Sequence, residues 1–178
     1  MFGGTVMGHV NVEIKARCGD TARVRAALLG AGAEFRGVDR QTDVYFNVAR
    51  GRLKLRRGDI ENALIFYDRT DEAGPKRSDV VLCQCLPDSN MERLFAELLG
   101  VRVRVVKSRE IYFIGNVKFH IDEVERLGGF VEIEAIDADG TIGRDKLLEQ
   151  CRRFMELLKI EENDLVERSY SDMLLEGA

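Results

Sequence analysis

Two histidines, two prolines and four cysteines in 178 residues leave little room for several kinds of chemistry. With only His9 and His120 available, a Ser/His or Cys/His nucleophile pair cannot be assembled with any support from spacing. The cysteines are Cys18, Cys83, Cys85 and Cys151, and Cys83-Gln84-Cys85 has no second Cys or His pair at zinc-site spacing. The chain is not a small Cys-dense scaffold, so reduced thiols and a cytoplasmic location are the expectation. No apolar run approaches the ~20 residues that span a bilayer. The N-terminal stretch is too short, and lacks the basic start, for a signal peptide. It reads as a disordered leader over residues 1–7, with Met7 as a candidate start. No Gly-x-Gly-x-x-Gly and no Gly-x-x-x-x-Gly-Lys-Ser/Thr loop occurs, which removes the common helix-based phosphate cradles. A net charge of -4 argues against a general nucleic-acid or anionic-membrane binder.

What the chain has is charge placed at strand spacing. Its length fits one domain over 1–178 with a substantial core, and 33% of its residues are charged. In Asn11-Val12-Glu13-Ile14-Lys15-Ala16-Arg17 the apolar and polar residues alternate strictly, the pattern of a strand with two unlike faces. Later strands repeat it. Arg52, Lys54 and Arg56 share a face opposite Leu53 and Leu55, and Ile65, Tyr67 and Arg69 fall together. Val103, Val105, Lys107 and Arg109 share another face, followed by Lys118, His120 and Asp122, and then Glu132 and Glu134. Gly115-Asn116 reads as the turn of a hairpin between 108–114 and 117–124. Residues 34–48 read as two short extended pieces.

Helical spacing follows Gly19-Asp20-Thr21, follows Pro87-Asp88-Ser89, and returns over about Ile142–Leu158 and Leu165–Leu175. The count is about eight strands, in neighbouring antiparallel order, with three or four helices. That is α+β: a curved or closed eight-stranded antiparallel β-barrel with helices packed outside on the leucine- and valine-rich faces. The charged faces would line its interior.

Taken one at a time, such faces can be solvated surfaces laced with weak ion pairs, each worth about 0–1 kcal/mol. Taken together, inward-pointing cations require a bound counter-charge. Cations gather at Lys15, Arg17, Arg52, Lys54, Arg56, Arg69, Lys76, Arg77, Lys107 and Arg109; carboxylates gather at Glu13, Asp122, Glu132 and Glu134. Oxygen ligands without Cys or His clusters suit Mg²⁺ or Mn²⁺, and Arg forks and Lys ammonium groups suit phosphate oxygens. The combination describes a metal–polyphosphate site. Tyr45, Tyr67 and Phe130 could stack a base, although core packing is the simpler role.

Asn11-Val12-Glu13-Ile14-Lys15 resembles the Glu-x-Glu-x-Lys signature of the CYTH superfamily, the triphosphate tunnel metalloenzymes. The similarity runs through Gln41-Thr42-Asp43-Val44-Tyr45-Phe46, Gly51–Arg56, Gly74-Pro75-Lys76-Arg77-Ser78, Lys107-Ser108-Arg109-Glu110, His120–Val124 and Leu127–Glu134. It ends with Glu167-Arg168-Ser169-Tyr170-Ser171-Asp172 and is strongest toward the class IV adenylyl cyclase-like branch. The resemblance implies an eight-stranded tunnel that binds a triphosphate with Mg²⁺ or Mn²⁺. It places Glu13, Glu132 and Glu134 at the metal and Lys15, Arg56, Lys76, Lys107 and Arg109 on the phosphates. Asp122 would face the reacting end beside Lys15 and Arg109, while Lys54, Arg69 and Arg17 are weaker transfers. Asn11 stands where the signature has its first Glu, which leaves open whether one metal or two are held. The implied activity is adenylyl cyclase, with an inorganic or thiamine triphosphatase as the alternative and a non-catalytic nucleotide or polyphosphate binder as a third. The implied substrate is ATP, tripolyphosphate or thiamine triphosphate, and a homodimer is a further expectation from the family.

Overall fold

The computed structural model describes residues 10–68, 79–86 and 90–177. The expected leader, His9, Arg69, Lys76, Arg77 and the Pro87-Asp88-Ser89 helix start lie outside the described residues.

Eight strands form one antiparallel sheet: β1 (Val10–Arg17), β2 (Glu34–Phe46), β3 (Arg52–Arg57), β4 (Ala63–Asp68), β5 (Asp79–Gln84), β6 (Val101–Ile114), β7 (Val117–Val124) and β8 (Gly128–Asp137). Their spatial order is β1-β8-β7-β6-β2-β3-β4-β5, a curled sheet whose edges are β1 and β5. The helices are α1 (Thr21–Gly30), α2 (Met91–Leu99), α3 (Arg144–Leu158) and α4 (Tyr170–Glu176). The α+β antiparallel expectation holds, as does the packing of helices against the apolar strand faces. Among the described residues no helix is long and apolar enough to cross a membrane.

The stretch expected as two short pieces is the single 13-residue strand β2. Gly37, at φ +134°, absorbs a bulge between Phe35 and Gly37, so pairing with β6 continues past an irregularity that resembles a break in the sequence. Gly129 lies inside β8, its backbone running against that of Cys18, whose N–H donates to the Gly129 carbonyl at 2.9 Å. A side chain there would collide with the Cys18 carbonyl oxygen.

Alternation then separates the faces. Val12, Ala16, Phe119, Ile121, Val131, Ile133 and Ala135 point to the convex side. They meet Val24 and Leu28 of α1 and Leu147, Cys151, Phe154 and Leu158 of α3. Each such side chain contributes roughly 1.5–3 kcal/mol by leaving water. Helix α1 starts on Asp20, whose carboxylate accepts from the Arg23 N–H at 2.9 Å. Val44, Phe46 and Leu55 are covered by Met91, Phe95 and Leu99 of α2. Helix α4 differs from the rest. Its Tyr170 and Leu174 pack with Tyr45, Val105, Val124 and Phe130, across one end of the concave face. All four cysteines are free thiols, with Cys18 and Cys151 buried.

Candidate active site

The strand registers decide what shares the concave face. Glu13 lies opposite Glu134 and Lys15 opposite Glu132 across β1 and β8. Lys118 meets Glu134 and His120 meets Glu132 across β7 and β8. Arg109 lies opposite Asp122 on one side and Asp39 on the other. Gln41 pairs with Lys107, Asp43 with Arg56, and Tyr45 with Lys54. One face therefore carries Lys15, Lys54, Arg56, Lys107, Arg109, Asp122, Glu13, Glu132 and Glu134, the described part of the site read from the sequence.

Its centre is Arg109. The guanidinium reaches Asp122 through Nε at 2.7 Å and Nη2 at 2.5 Å, and Nη2 also meets Glu132 at 2.7 Å. Glu132 also forms an ion pair with Lys15 at 3.3 Å and lies 3.0 Å from His120 Nδ1. The Tyr170 hydroxyl donates to Asp122 at 2.9 Å, and its ring sits 4.2 Å from Lys15 Nζ. A second group forms around Asp43, which receives Lys54 at 2.8 Å and Arg56 at 2.8 and 2.9 Å. Arg56 also donates to Glu61 at 2.7 Å, and Glu61 accepts from Lys118 at 2.9 Å. Glu61 lies between β3 and β4 while Lys118 lies on β7, so this carboxylate bridges the concave face. Lys107 stands between the two groups, 3.8 Å from Asp122 and 4.0 Å from Asp43.

Among the described residues, part of the counter-charge expected for the inward cations comes from within the chain. Asp43 pairs with Lys54 and Arg56, Glu61 with Arg56 and Lys118, and Asp122 and Glu132 with Arg109. Burial opposes every one of these charges, and the neighbours decide the outcome. Asp43 stays well below the ordinary carboxylate range because Lys54, Arg56 and Lys107 outweigh its desolvation. Glu132 is held well below it against desolvation by Arg109, Lys15 and His120. Desolvation likewise works against Asp122, which Arg109 and Lys107 keep low. Lys107 falls to about 7: desolvation and the adjacent Arg109 outweigh its two distant carboxylates. Desolvation and Arg109 also lower His120 to about 4, so its ring is neutral near pH 7.

The three expected metal carboxylates do not share one environment. Glu132 is committed to the Arg109 network. Glu13 and Glu134 face each other directly, and Glu134 is raised by burial and then by the Glu13 charge. Asn11 donates to Glu134 at 2.8 Å. Glu13 is exposed and Glu134 half-buried; such a pair of like charges is a place where a cation would relieve repulsion, and oxygen donors fit Mg²⁺ or Mn²⁺. Among the described residues no three or more His, Cys, Asp or Glu side chains form a ready-made metal cage. Mg²⁺ does not need one, since it commonly uses one or two carboxylates with phosphate oxygens and water.

Arg17 and Arg52 stand apart from the centre. Arg17 is exposed and stacks toward Phe130, while Arg52 pairs with Asp172 of α4 at 2.9 Å. Of the possible base-stacking rings, Tyr45 and Phe130 are buried in the α4 cluster, and Tyr67 is half-buried.

Sequence reasoning assigned no role to Asp39, Gln41, Asp43, Glu61 or Tyr170. Asp39, Gln41, Asp43 and Tyr45 alternate at strand spacing, a signal that was available once 34–46 is read as one strand. Glu61 is a loop residue with no periodic signal.

The CYTH domain family matches residues 9–170. Over 174 residues the chain is 28% identical to a Methanocaldococcus jannaschii protein named "Putative adenylate cyclase", covering 92% of this chain and 98% of that one. A Pyrococcus horikoshii protein structure superposes with TM-score 0.80 at 24% identity, covering 91% of this chain and 98% of the other. A Hippeastrum structure aligns with TM-score 0.67 at 12% identity over 95% and 96% of the two chains. That protein is described as a "putative adenylyl cyclase" with a dominant triphosphatase activity. The sheet order, the signature strand and the match over most of the chain agree: this protein belongs to the CYTH domain family.

Proposed function

We propose that this protein is a divalent-metal-dependent enzyme acting on the triphosphate of a small molecule, with adenylyl cyclase as the leading activity. The observation that carries the reading is the placement of Lys15, Lys54, Arg56, Lys107 and Arg109 on one concave face, each already paired with a carboxylate that an incoming phosphate can replace. Arg56 and Arg109 present forks to phosphate oxygens, and Lys15 and Lys107 supply point charges between them. The described residues leave Arg69 and Lys76 as further proposed phosphate ligands.

Glu13 and Glu134 would hold Mg²⁺ or Mn²⁺, with Glu132 as a candidate third ligand. When bound, the ion supplies positive charge to the phosphate oxygens and to the leaving group. In the cyclase reaction the ribose 3′-oxygen bonds to the α-phosphorus as the bond from that phosphorus to the bridging oxygen breaks. Pyrophosphate leaves with the electron pair and the hydroxyl proton is released. The cation wall stabilises charge that builds on the pyrophosphate.

Hydrolysis is the second reading, and one feature favours it. Tyr45 and Tyr170, aromatic rings at the rim of the charged face, are only 6% and 5% exposed and belong to the α4 cluster, so neither offers a free platform for a base. In a triphosphatase, water attacks a terminal phosphoryl group and no base needs a platform. The test is to give the purified protein ATP, tripolyphosphate and thiamine triphosphate separately with Mg²⁺ or Mn²⁺ and to identify products. Cyclic AMP with pyrophosphate supports the cyclase, and orthophosphate supports hydrolysis. Metal-dependent binding without turnover would refute both in favour of a binder.

A further inference from the structure

Among the described residues, charge on the concave face stops at β3. Every strand from β1 through β8, β7, β6 and β2 to β3 places charged side chains there. The last two strands do not. Register sets Ala63 beside Arg56, Ile65 beside Lys54 and Tyr67 beside Arg52. It then sets Gln84 beside Ala63 and Leu82 beside Ile65. Ile65 and Leu82 thus form an apolar strip that continues the Lys54 row outward to the β5 edge of the sheet. Leu82 is 53% exposed and Ile65 is half-buried. Tyr67 borders the strip, with its ring centroid 6.0 Å from Lys54 Nζ and 5.9 Å from Arg52 Cζ.

A lone exposed leucine is ordinary on a protein surface. Leu82 differs in its place: it lies on the cation-bearing face, with a second branched apolar side chain directly across from it. Neither phosphate oxygens nor a metal ion gain anything from such a strip, so an inorganic triphosphate would leave it bare. Two strand spacings, about 10 Å, separate β3 from β5. A ring joined to phosphates held at Lys54 and Arg56 can cover that distance.

We propose that Ile65 and Leu82 seat the heteroaromatic group of the substrate, so that the substrate is an organic triphosphate rather than inorganic tripolyphosphate. This rests on the triphosphate reading above and names the class of molecule that carries the phosphates. The apolar contact lies at the β4–β5 edge, away from the buried Tyr45 and Tyr170 rings of the α4 cluster. A nucleoside base and the thiamine rings share the chemistry required, a flat face with polar edges, and Gln84 brings an amide to the same side of the sheet.

The test compares wild type with Leu82→Ser, using α,β-methylene ATP, thiamine triphosphate and tripolyphosphate, each with Mg²⁺. Calorimetry should show the ring-bearing ligand bound about fivefold or more weakly by Leu82→Ser, the scale of leaving half a leucine uncovered, and tripolyphosphate within about twofold of wild type. The Tm of the variant should stay within about 2 °C of wild type, as for an exposed position. In methyl NMR, the aromatic ring current should move the Leu82 and Ile65 resonances when a ring-bearing ligand binds, and tripolyphosphate should leave them in place. Movement with the ATP analogue alone supports a nucleoside, with thiamine triphosphate alone a thiamine ester, and with both the shared class. Equal weakening of all three ligands, weakening of none, or methyls unmoved by either ring overturns the proposal. A large fall in Tm with unmoved methyls overturns it too, and assigns the strip to packing within the chain. Tripolyphosphate binding with unmoved methyls defeats this proposal alone; failure of all three ligands to bind wild type defeats the triphosphate reading, and this proposal with it.

Discussion

Replacing Asp43 by Asn keeps the shape of the side chain and deletes one charge. In the folded protein that charge lies 2.8 Å from Lys54, 2.8 and 2.9 Å from two nitrogens of Arg56, and 4.0 Å from Lys107. Asp43 is 1% exposed and Lys107 is 4% exposed, so water cannot take over the carboxylate's role. Removing one partner from a buried ion pair costs about 3–5 kcal/mol, because the remaining charge is left desolvated. Asp43 serves three cations, and an amide oxygen still accepts one hydrogen bond, so the loss should lie within that range. Against a total stability of about 5–15 kcal/mol this is large. At roughly 2–4 °C per kcal/mol for a chain of this size, Tm should fall by about 6–20 °C. The same substitution frees cations for an external anion. Tripolyphosphate with Mg²⁺ should therefore raise the Tm of Asp43→Asn by more than it raises that of the wild type. Differential scanning fluorimetry with and without tripolyphosphate measures both effects. A Tm within about 2 °C of wild type would refute the view that Asp43 is the internal counter-charge of the cation wall.

Three further outcomes follow from the same charges. Lys107 titrates near 7 when folded and near 10.5 when unfolded, so the unfolded chain binds the extra proton between those values. Stability from this group therefore increases as pH rises from about 7 toward 10, and Lys107→Met should flatten that slope in urea titrations. Asp43, Asp122 and Glu132 are all depressed, so their contribution is fully present above the ordinary carboxylate range and is lost as pH falls through their folded values. Acid unfolding should accordingly begin below about pH 4, and circular dichroism will show whether it instead begins near neutrality. Asn11→Glu would set a third carboxylate beside Glu13 and Glu134 in place of a hydrogen-bond donor. It should lower Tm by several degrees without metal, while Mn²⁺ should stabilise it more than wild type; an equal Mn²⁺ response in the two proteins would count against a cation site at that pair.

Much of the concave face was legible because a strand has a period of two and the charged residues obey it. Lys15, Arg56, Lys107, Arg109, Asp122 and Glu132 fall together because β1, β3, β6, β7 and β8 each alternate cleanly, so register alone brings them to one face. The hidden part depends on registers and a loop that no local pattern states. Asp43 was passed over because the bulge at Gly37 made β2 read as two pieces, concealing that Asp39, Gln41, Asp43 and Tyr45 continue one face.

Glu61 lies outside any periodic segment, and only the folded path of the β3–β4 connection brings it to Lys118, 57 residues away. These omissions share a physical cause and bear on function. The sequence reading assigned cations to a ligand and carboxylates to a metal, as though each charge had an external partner. The structure pairs most of them with one another, since burying either sign alone would cost several kcal/mol per ion. On the proposed function, a triphosphate would therefore enter by exchanging anions rather than by filling a vacant positive channel. Its affinity would then be set by the difference between phosphate and the Asp43, Asp122 and Glu132 carboxylates it replaces, and those acids would become determinants of binding even though they repel the ligand.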